Sequence, residues 1–259
     1  MPTPIKVLPN PDALGEYIAD LLLTRIDAAR AANRRFLLGC PTGRTPAPIL
    51  RAMEARLRGH PRDLGHVTLV MMDEYLVQGA RGLEYAPSMA SWSCHHYAQH
   101  EYMAKLNGAA NASLGIRDAW FPEVGDPAAY ERRIADAGGI DLFLLASGGS
   151  DGHVAFNPPG SARNSRTRII PLSEETRRDN LKTFPSFGTL EAVPRHGVSV
   201  GIATITDSRE AIMAVWGTGK QETLRRMRAA DRYDPDWPAT LIHECRNAQI
   251  VADADAAGV

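Results

Sequence analysis

Four short segments of this 259-residue chain hold side chains able to move protons or grip an anion. Asp73-Glu74 directly follows the apolar run Val67-Thr68-Leu69-Val70-Met71-Met72. A carboxylate at the end of such a run is partly desolvated, which raises its pKa towards that of a usable general base, and Asp73 is the candidate. Acidic residues also simply begin loops or cap helices, so this position alone is a weak signal. Asp151-Gly152-His153 closes the run Ser147-Gly148-Gly149-Ser150. An imidazole there carries protons at neutral pH, and a carboxylate two residues away fixes its tautomer, although an isolated Asp-Gly-His is also a common turn. Pro41-Thr42-Gly43-Arg44-Thr45-Pro46 offers amides freed by Gly43, two hydroxyls and a guanidinium at the start of a helix, the chemistry that holds a phosphate. A strand-to-helix turn needing only a glycine and a threonine cap reads the same way. Gly217-Thr218-Gly219-Lys220 repeats the design with Lys220 as the cation, and two such loops in one chain favour a phosphorylated ligand.

The candidate proton-transfer residues are therefore Asp73, Asp151 and His153. Thr42, Gly43, Arg44, Thr45 and Lys220 are candidates for substrate contact, joined by Glu74 and Gly149 at the same strand ends. His95, His96 and His100 are the one cluster that hints at metal, since His96 and His100 stand four apart on a helix. No other ligand pattern accompanies them, a solvated helix end explains them as well, and no metal is expected.

These segments need elements to position them. From Asn10, a capping residue, Pro11 and the spacing of Leu14, Tyr17, Ile18, Leu21, Leu22 and Ile26 predict a helix. Phe36-Leu37-Leu38 reads as an interior strand, and Ile49, Leu50, Met53 and Leu57 as the next helix. Further strands are expected at residues 67–72, 140–146, 198–204 and 212–216, then a helix through Leu224 and Met227. Continuous apolar strands alternating with helices predict an α/β fold: a three-layer, mostly parallel Rossmann-like sheet with helices on both faces, one domain over residues 1–259. In such sheets ligands bind beyond the carboxyl ends of the strands, where every polar segment above falls. Residues 77–93 hold Gly79, Gly82 and Pro87, keep no clear period and read as a lid.

Composition excludes several classes. The 29 basic and 30 acidic residues give a formal net charge of -1, without a block of one sign, so nucleic acid is not an expected partner. Cys40, Cys94 and Cys245 are too few and too scattered for a disulfide framework or a cysteine zinc site, which suits a reducing cytoplasm. Prolines interrupt the first eleven residues where a secretion signal would be apolar, and no run nears the ~18 apolar residues of a membrane span. The expected partner is a small molecule, and a homo-oligomer stays open.

In order along the chain, Pro41 to Pro46, Met72-Asp73-Glu74-Tyr75, Asp151-Gly152-His153-Val154-Ala155-Phe156-Asn157, Ser165-Arg166-Thr167-Arg168 and Gly219-Lys220 resemble the glucosamine-6-phosphate deaminases, relatives of the 6-phosphogluconolactonases. The resemblance covers nearly the whole chain. It implies an aldose-ketose isomerase and deaminase that turns glucosamine 6-phosphate into fructose 6-phosphate and ammonia without cofactor. The histidine matching His153 would help to open the pyranose ring, and the aspartate matching Asp73 would move the C2 proton to C1 through an enolamine. Residues 42–45 with Lys220 would hold the phosphate, and Lys182 stands where the family has a phosphate-contacting arginine. The chain also departs from the pattern: Pro158 replaces a glutamate that charges and orients the histidine, Arg44 replaces a small residue, and Ile170 replaces a lysine of the allosteric pocket. A sugar-phosphate isomerase that keeps the nitrogen is one alternative, and a sensor without turnover is another. A lactonase is a third, against which Phe156-Asn157 and the Ser-Arg-Thr-Arg segment side with the deaminases.

Overall fold

A computed structural model of the chain describes residues 3–110 and 115–259. Among the described residues seven parallel strands form the main sheet, in the spatial order β1 (Ile5–Leu8), β11 (Ala248–Asp253), β10 (Ala211–Val215), β7 (Leu142–Leu145), β2 (Phe36–Cys40), β3 (Val67–Met71), β6 (Asp118–Trp120). Strand alternation splits their side chains between two cores. Phe36, Leu38, Cys40, Leu69, Met71 and Ile212 face α1 (Pro11–Ala31) and α2 (Ala47–Gly59). Leu37, Val70, Phe143, Leu145, Met213 and Val215 face α5 (Pro127–Asp136), α7 (Ile202–Thr206) and α8 (Gln221–Ala229). This is the expected three-layer α/β arrangement, and both-sided burial explains why its strands read as unbroken apolar runs. The first helix starts as its residues require: Pro11 occupies the first turn and Asn10 Oδ1 accepts from the Ala13 amide at 2.9 Å.

Two expectations are corrected. Residues 198–204 do not form a strand of the parallel sheet. Only Val198 and Ser199 are extended, in β9 (His196–Ser199), and the chain turns at Gly201 into α7. An ideal Cβ on Gly201 would lie 2.1 Å from the Ser165 carbonyl oxygen, so the turn depends on a residue without one. Residues 77–93 are not an unpatterned lid. Val77 to Gly79 end β4 (Asp73–Gly79), which pairs with β5 (Gly82–Tyr85) as an antiparallel hairpin. Together β5, β4, β9 and β8 (Arg168–Pro171) make a second, antiparallel sheet. Its own small core packs Tyr75 against Phe156, Phe187 and Trp92, with ring centroids 4.9, 5.7 and 5.5 Å apart. Met72 alone separates β3 from β4, so the chain passes from one sheet to the other immediately before Asp73.

Between β5 and the next strand, β6, a continuous helical rod runs through α3 (Cys94–Tyr97), a π-helical stretch Ala98–Ala104 and α4 (Lys105–Ala109). Between β8 and β9 lies α6 (Glu174–Thr183), started by Ser173, whose side chain accepts from the Thr176 amide.

Candidate active site

A cavity of about 620 Å³ opens where the carboxyl ends of β2, β3, β7 and β10 meet the second sheet and α6. Thr42, Gly43, Arg44 and Thr45 line one side of it. Lys220, Gly149, Asp73 and His153 line it as well, as does Lys182 in the last turn of α6, with a largely exposed side chain. These sequence-predicted residues are thus brought together. Asp151 stands behind His153 rather than in the lining, and Glu74 is turned away altogether.

The two glycine-bearing loops are held from outside. In residues 41–46 Gly43 takes φ 85°, a left-handed conformation that favours glycine. The Gly43 and Pro41 carbonyls accept from the Tyr97 and Tyr102 hydroxyls at 2.8 and 2.9 Å, and the Thr45 carbonyl accepts from Trp216 Nε1 at 3.1 Å. Carbonyl oxygens repel anions, and these three are occupied by donors of the protein itself. The Tyr97 and Tyr102 hydroxyls, both from the helical rod, thus fix the loop from outside. In the second loop, the Gly217 amide donates to both oxygens of Asp253 at 3.0 and 3.1 Å. That fully buried carboxylate also caps the short α9 (Ala254–Ala257). An ideal Cβ on Gly149 would lie 2.6 Å from the Gly219 carbonyl oxygen, so the two loops abut backbone to backbone. The Lys220 ammonium donates to the Ser147 carbonyl. Burial lowers its pKa to about 8, Asp179 pulls it back up and Arg44 lowers it further.

Asp73 opens β4 and is almost entirely buried. Burial is the main cause that pushes its pKa up to about 7. The Cys94 thiol, 3.4 Å from Oδ1, opposes that rise, Glu74 adds to it and His153 opposes it. The same thiol lies 3.8 Å from Thr42 Oγ1, linking the carboxylate to the first loop. Glu74, expected beside the substrate, is a correction. Consecutive residues of a strand point to opposite faces, so Glu74 leaves the cavity and is fully buried on the other side. There its carboxylate accepts from the Cys94 amide at 3.0 Å, the His95 amide at 2.8 Å and Ser93 Oγ at 2.9 Å. It therefore anchors the N-terminus of the helical rod, where a negative charge meets free amides.

His153 Nδ1 lies 2.6 Å from Asp151 Oδ1, which also accepts from the His153 amide at 3.1 Å. With Asp151 ionised, Nδ1 carries the proton and Nε2 is the exchanging atom. Burial would raise the Asp151 pKa, but the hydrogen bond and charge of His153 outweigh it and the carboxyl stays below its ordinary range. An ideal Cβ on Gly148 would lie 2.2 Å from His153 Nδ1, so that glycine makes room for the ring. Ala155, in the same cavity wall, holds φ 52°, a strained conformation for a residue with a Cβ.

Five lining residues were not singled out in the sequence: Asp179, Asn180 and Thr183 of α6, Phe184 at its end, and Trp216 after β10. The usable signal was Lys182, since residues three apart on a helix share a face and place Asp179 beside it. Among the described residues, the histidine cluster at 95–100 brings no three potential metal ligands together, whereas Asp151, His153 and Asp179 present atoms within 4.8 Å of one another. His95 instead contacts Glu74 at 2.5 Å and stacks on Phe121, and His96 packs on His100 with centroids 4.1 Å apart.

Known proteins resemble this chain in sequence and in fold. Residues 9–251 match the family described as glucosamine-6-phosphate isomerases/6-phosphogluconolactonase. A glucosamine-6-phosphate deaminase of Shouchella clausii is 32% identical over 251 residues, covering 96% of this chain and 94% of the relative. A glucosamine-6-phosphate isomerase of Candida albicans is 34% identical over 257 residues, covering 98% and 97%. Among solved structures, a monomeric glucosamine-6-phosphate deaminase superposes with a TM-score of 0.84 at 24% identity, covering 98% of this chain and 99% of that one. The 6-phosphogluconolactonase of Trypanosoma brucei superposes at 0.68 with 19% identity, covering 100% and 98%, so these two structures speak to the fold. On the sequence match over nearly its whole length, the chain belongs to the family of glucosamine-6-phosphate isomerases and 6-phosphogluconolactonases.

Proposed function

We propose that the protein is a deaminating aldose-ketose isomerase that converts glucosamine 6-phosphate to fructose 6-phosphate and ammonia. The observation that carries this reading is Asp73: a buried carboxyl with its pKa near 7, in one cavity with His153 and two phosphate-type loops. A lactonase has no carbon-bound proton to move and no use for such a base, and the curated relatives are named for the deaminase and isomerase reactions.

Residues 42–45, Lys220 and Lys182 hold the phosphate, with Arg44 adding charge that a small residue would not. Holding that end fixes the sugar carbons against the wall of the cavity. His153 takes the anomeric hydroxyl proton and returns a proton to the ring oxygen, while Asp151 holds the imidazole. Asp73 then takes the C2 proton while O1 gains a proton that the substrate ammonium gives up, and delivers the C2 proton to C1. Water adds to the resulting C2 iminium and ammonia leaves, giving the ketone. The cysteines, unpaired and mostly buried, fit a reducing compartment such as the cytoplasm.

The test offers the protein glucosamine 6-phosphate, galactosamine 6-phosphate and 6-phosphogluconolactone while ammonia, ketose and acid are measured separately. Ammonia and ketose in equal amounts are expected from the first. In Asp73→Asn turnover should fall roughly a hundred- to ten-thousand-fold with ligand affinity nearly intact. Acid from the lactone alone, or full turnover in Asp73→Asn, refutes the proposal.

A further inference from the structure

A second carboxylate faces the histidine centre from a different element. Asp179 lies on α6, one turn beyond Thr176, and lines the cavity. The fully buried Thr176 hydroxyl sits 3.4 Å from both Asp151 Oδ2 and His153 Nδ1, so this face of the helix is packed on the histidine centre. One oxygen of Asp179, one of Asp151 and a ring nitrogen of His153 fall within 4.8 Å of one another. Ser150 Oγ donates to Asp179 Oδ2 at 2.7 Å, tying the carboxylate to the loop that carries His153. Its other partner, Lys182, is 3.4 Å away with a largely exposed side chain. A screened pair of that kind contributes little and does not account for an acid in the wall of an anion-binding cavity.

The charged groups around His153 come from separate elements: Asp151 on its own loop, Asp73 on β4 and Asp179 on α6, with Lys220 beyond Asp179. Ring opening passes through an imidazolium. The O1 proton moves to His153 Nε2, C1=O forms as the C1–O5 bond breaks, and O5 takes a proton back. A cation that forms and vanishes on a largely buried ring is stabilised by fixed negative charge nearby. Asp151 supplies one such charge and sets the ring's orientation.

We propose that Asp179 is a positioning carboxylate of the ring-opening centre, facing the His153 imidazolium as a second negative charge. The inference rests on the function proposed above.

The test reads ring opening by itself. In Asp73→Asn, where removal of the C2 proton is blocked, the protein's acceleration of exchange between the α and β anomers of glucosamine 6-phosphate is followed by NMR. Adding Asp179→Asn should cut that acceleration by about tenfold, the effect of one lost charge interaction. Asp179→Glu, which keeps the charge, should restore most of it. In the otherwise native protein Asp179→Asn should lower kcat by a similar factor and leave KM within about threefold. Unchanged anomer exchange overturns the inference, as does a rise in KM at constant kcat, which would make Asp179 a substrate contact instead. Exchange by Asp73→Asn no faster than in buffer also overturns it, because the histidine centre would then not open the ring. A protein that speeds exchange but never releases ammonia refutes the deaminase reading while leaving Asp179 decided by the exchange rates.

Discussion

Burying Asp73 has a thermodynamic consequence as well as a kinetic one. Folding raises its pKa from 3.8 to about 7, chiefly by desolvation, so the folded state binds its proton more tightly than the unfolded chain does. The stabilisation from that proton is fully present below the unfolded value and is lost as pH climbs through the folded one. Asn, which never ionises, does not suffer that loss. Asp73→Asn should therefore gain stability relative to the native protein from pH 4 to pH 7, levelling above, by at most about 4 kcal/mol for a shift of roughly three units. Chemical unfolding of both proteins across that range measures it. A constant difference would mean that burial does not set the proton affinity of Asp73. The base is thus expected to trade stability for reactivity, and kcat/KM should rise with pH up to about 7 as Asp73 ionises. Asp73 was legible as a candidate because it ends an apolar run. The contrast with Glu74 was not, since two adjacent carboxylates separate only once the backbone is known to be extended.

Elements make the site by pressing loops together, and glycine is where the pressure falls. Gly149 faces the Gly219 carbonyl, which is backbone and cannot swing aside as a side chain would. Gly149→Ala should therefore push the loop of Lys220 outward, raising KM about tenfold or more with a smaller change in kcat, and lowering stability by about 1–3 kcal/mol. Gly108→Ala is the control. That glycine lies in α4 with open space around its Cβ position, so alanine should leave KM unchanged and add a little stability. Equal KM in both variants would show that the contact between the loops does not place Lys220. Four of the seven parallel strands, β2, β3, β7 and β10, were legible because both faces of the sheet are covered there, leaving apolar runs, whereas β1 and β6 at the edges and β11 beside β1 were not. The second sheet was hidden by the same logic: its strands are short and half polar, and β9 and α7 together read as one apolar run because the break at Gly201 is set by contact with distant Ser165. Asp179 was hidden because a helix face becomes a cavity wall only through packing.

At the scale of the molecule, the cavity is the seam between two sheets that share little chain, crossed by β3 running through Met72 into β4. The parallel sheet contributes both phosphate-type loops and His153, whereas β4 brings Asp73, and α6, between two strands of the second sheet, brings Lys182 and Asp179. A ligand spanning the cavity should therefore fasten the halves to each other, and ligands of different length should do so to different extents. Inorganic phosphate is expected to slow amide exchange in residues 41–46 and 217–220 and in the last turn of α6 around Lys182. Fructose 6-phosphate should extend protection to residues 147–153 and the start of β4. At a hundred times its dissociation constant it should add about 2.7 kcal/mol of stability, or roughly 5–10 °C in Tm for a chain of this length. Hydrogen exchange read by mass spectrometry, with the two ligands side by side, separates the cases. If the sugar phosphate protects no more than phosphate does, its carbons do not lie between the sheets, and neither Asp73 nor His153 can reach them.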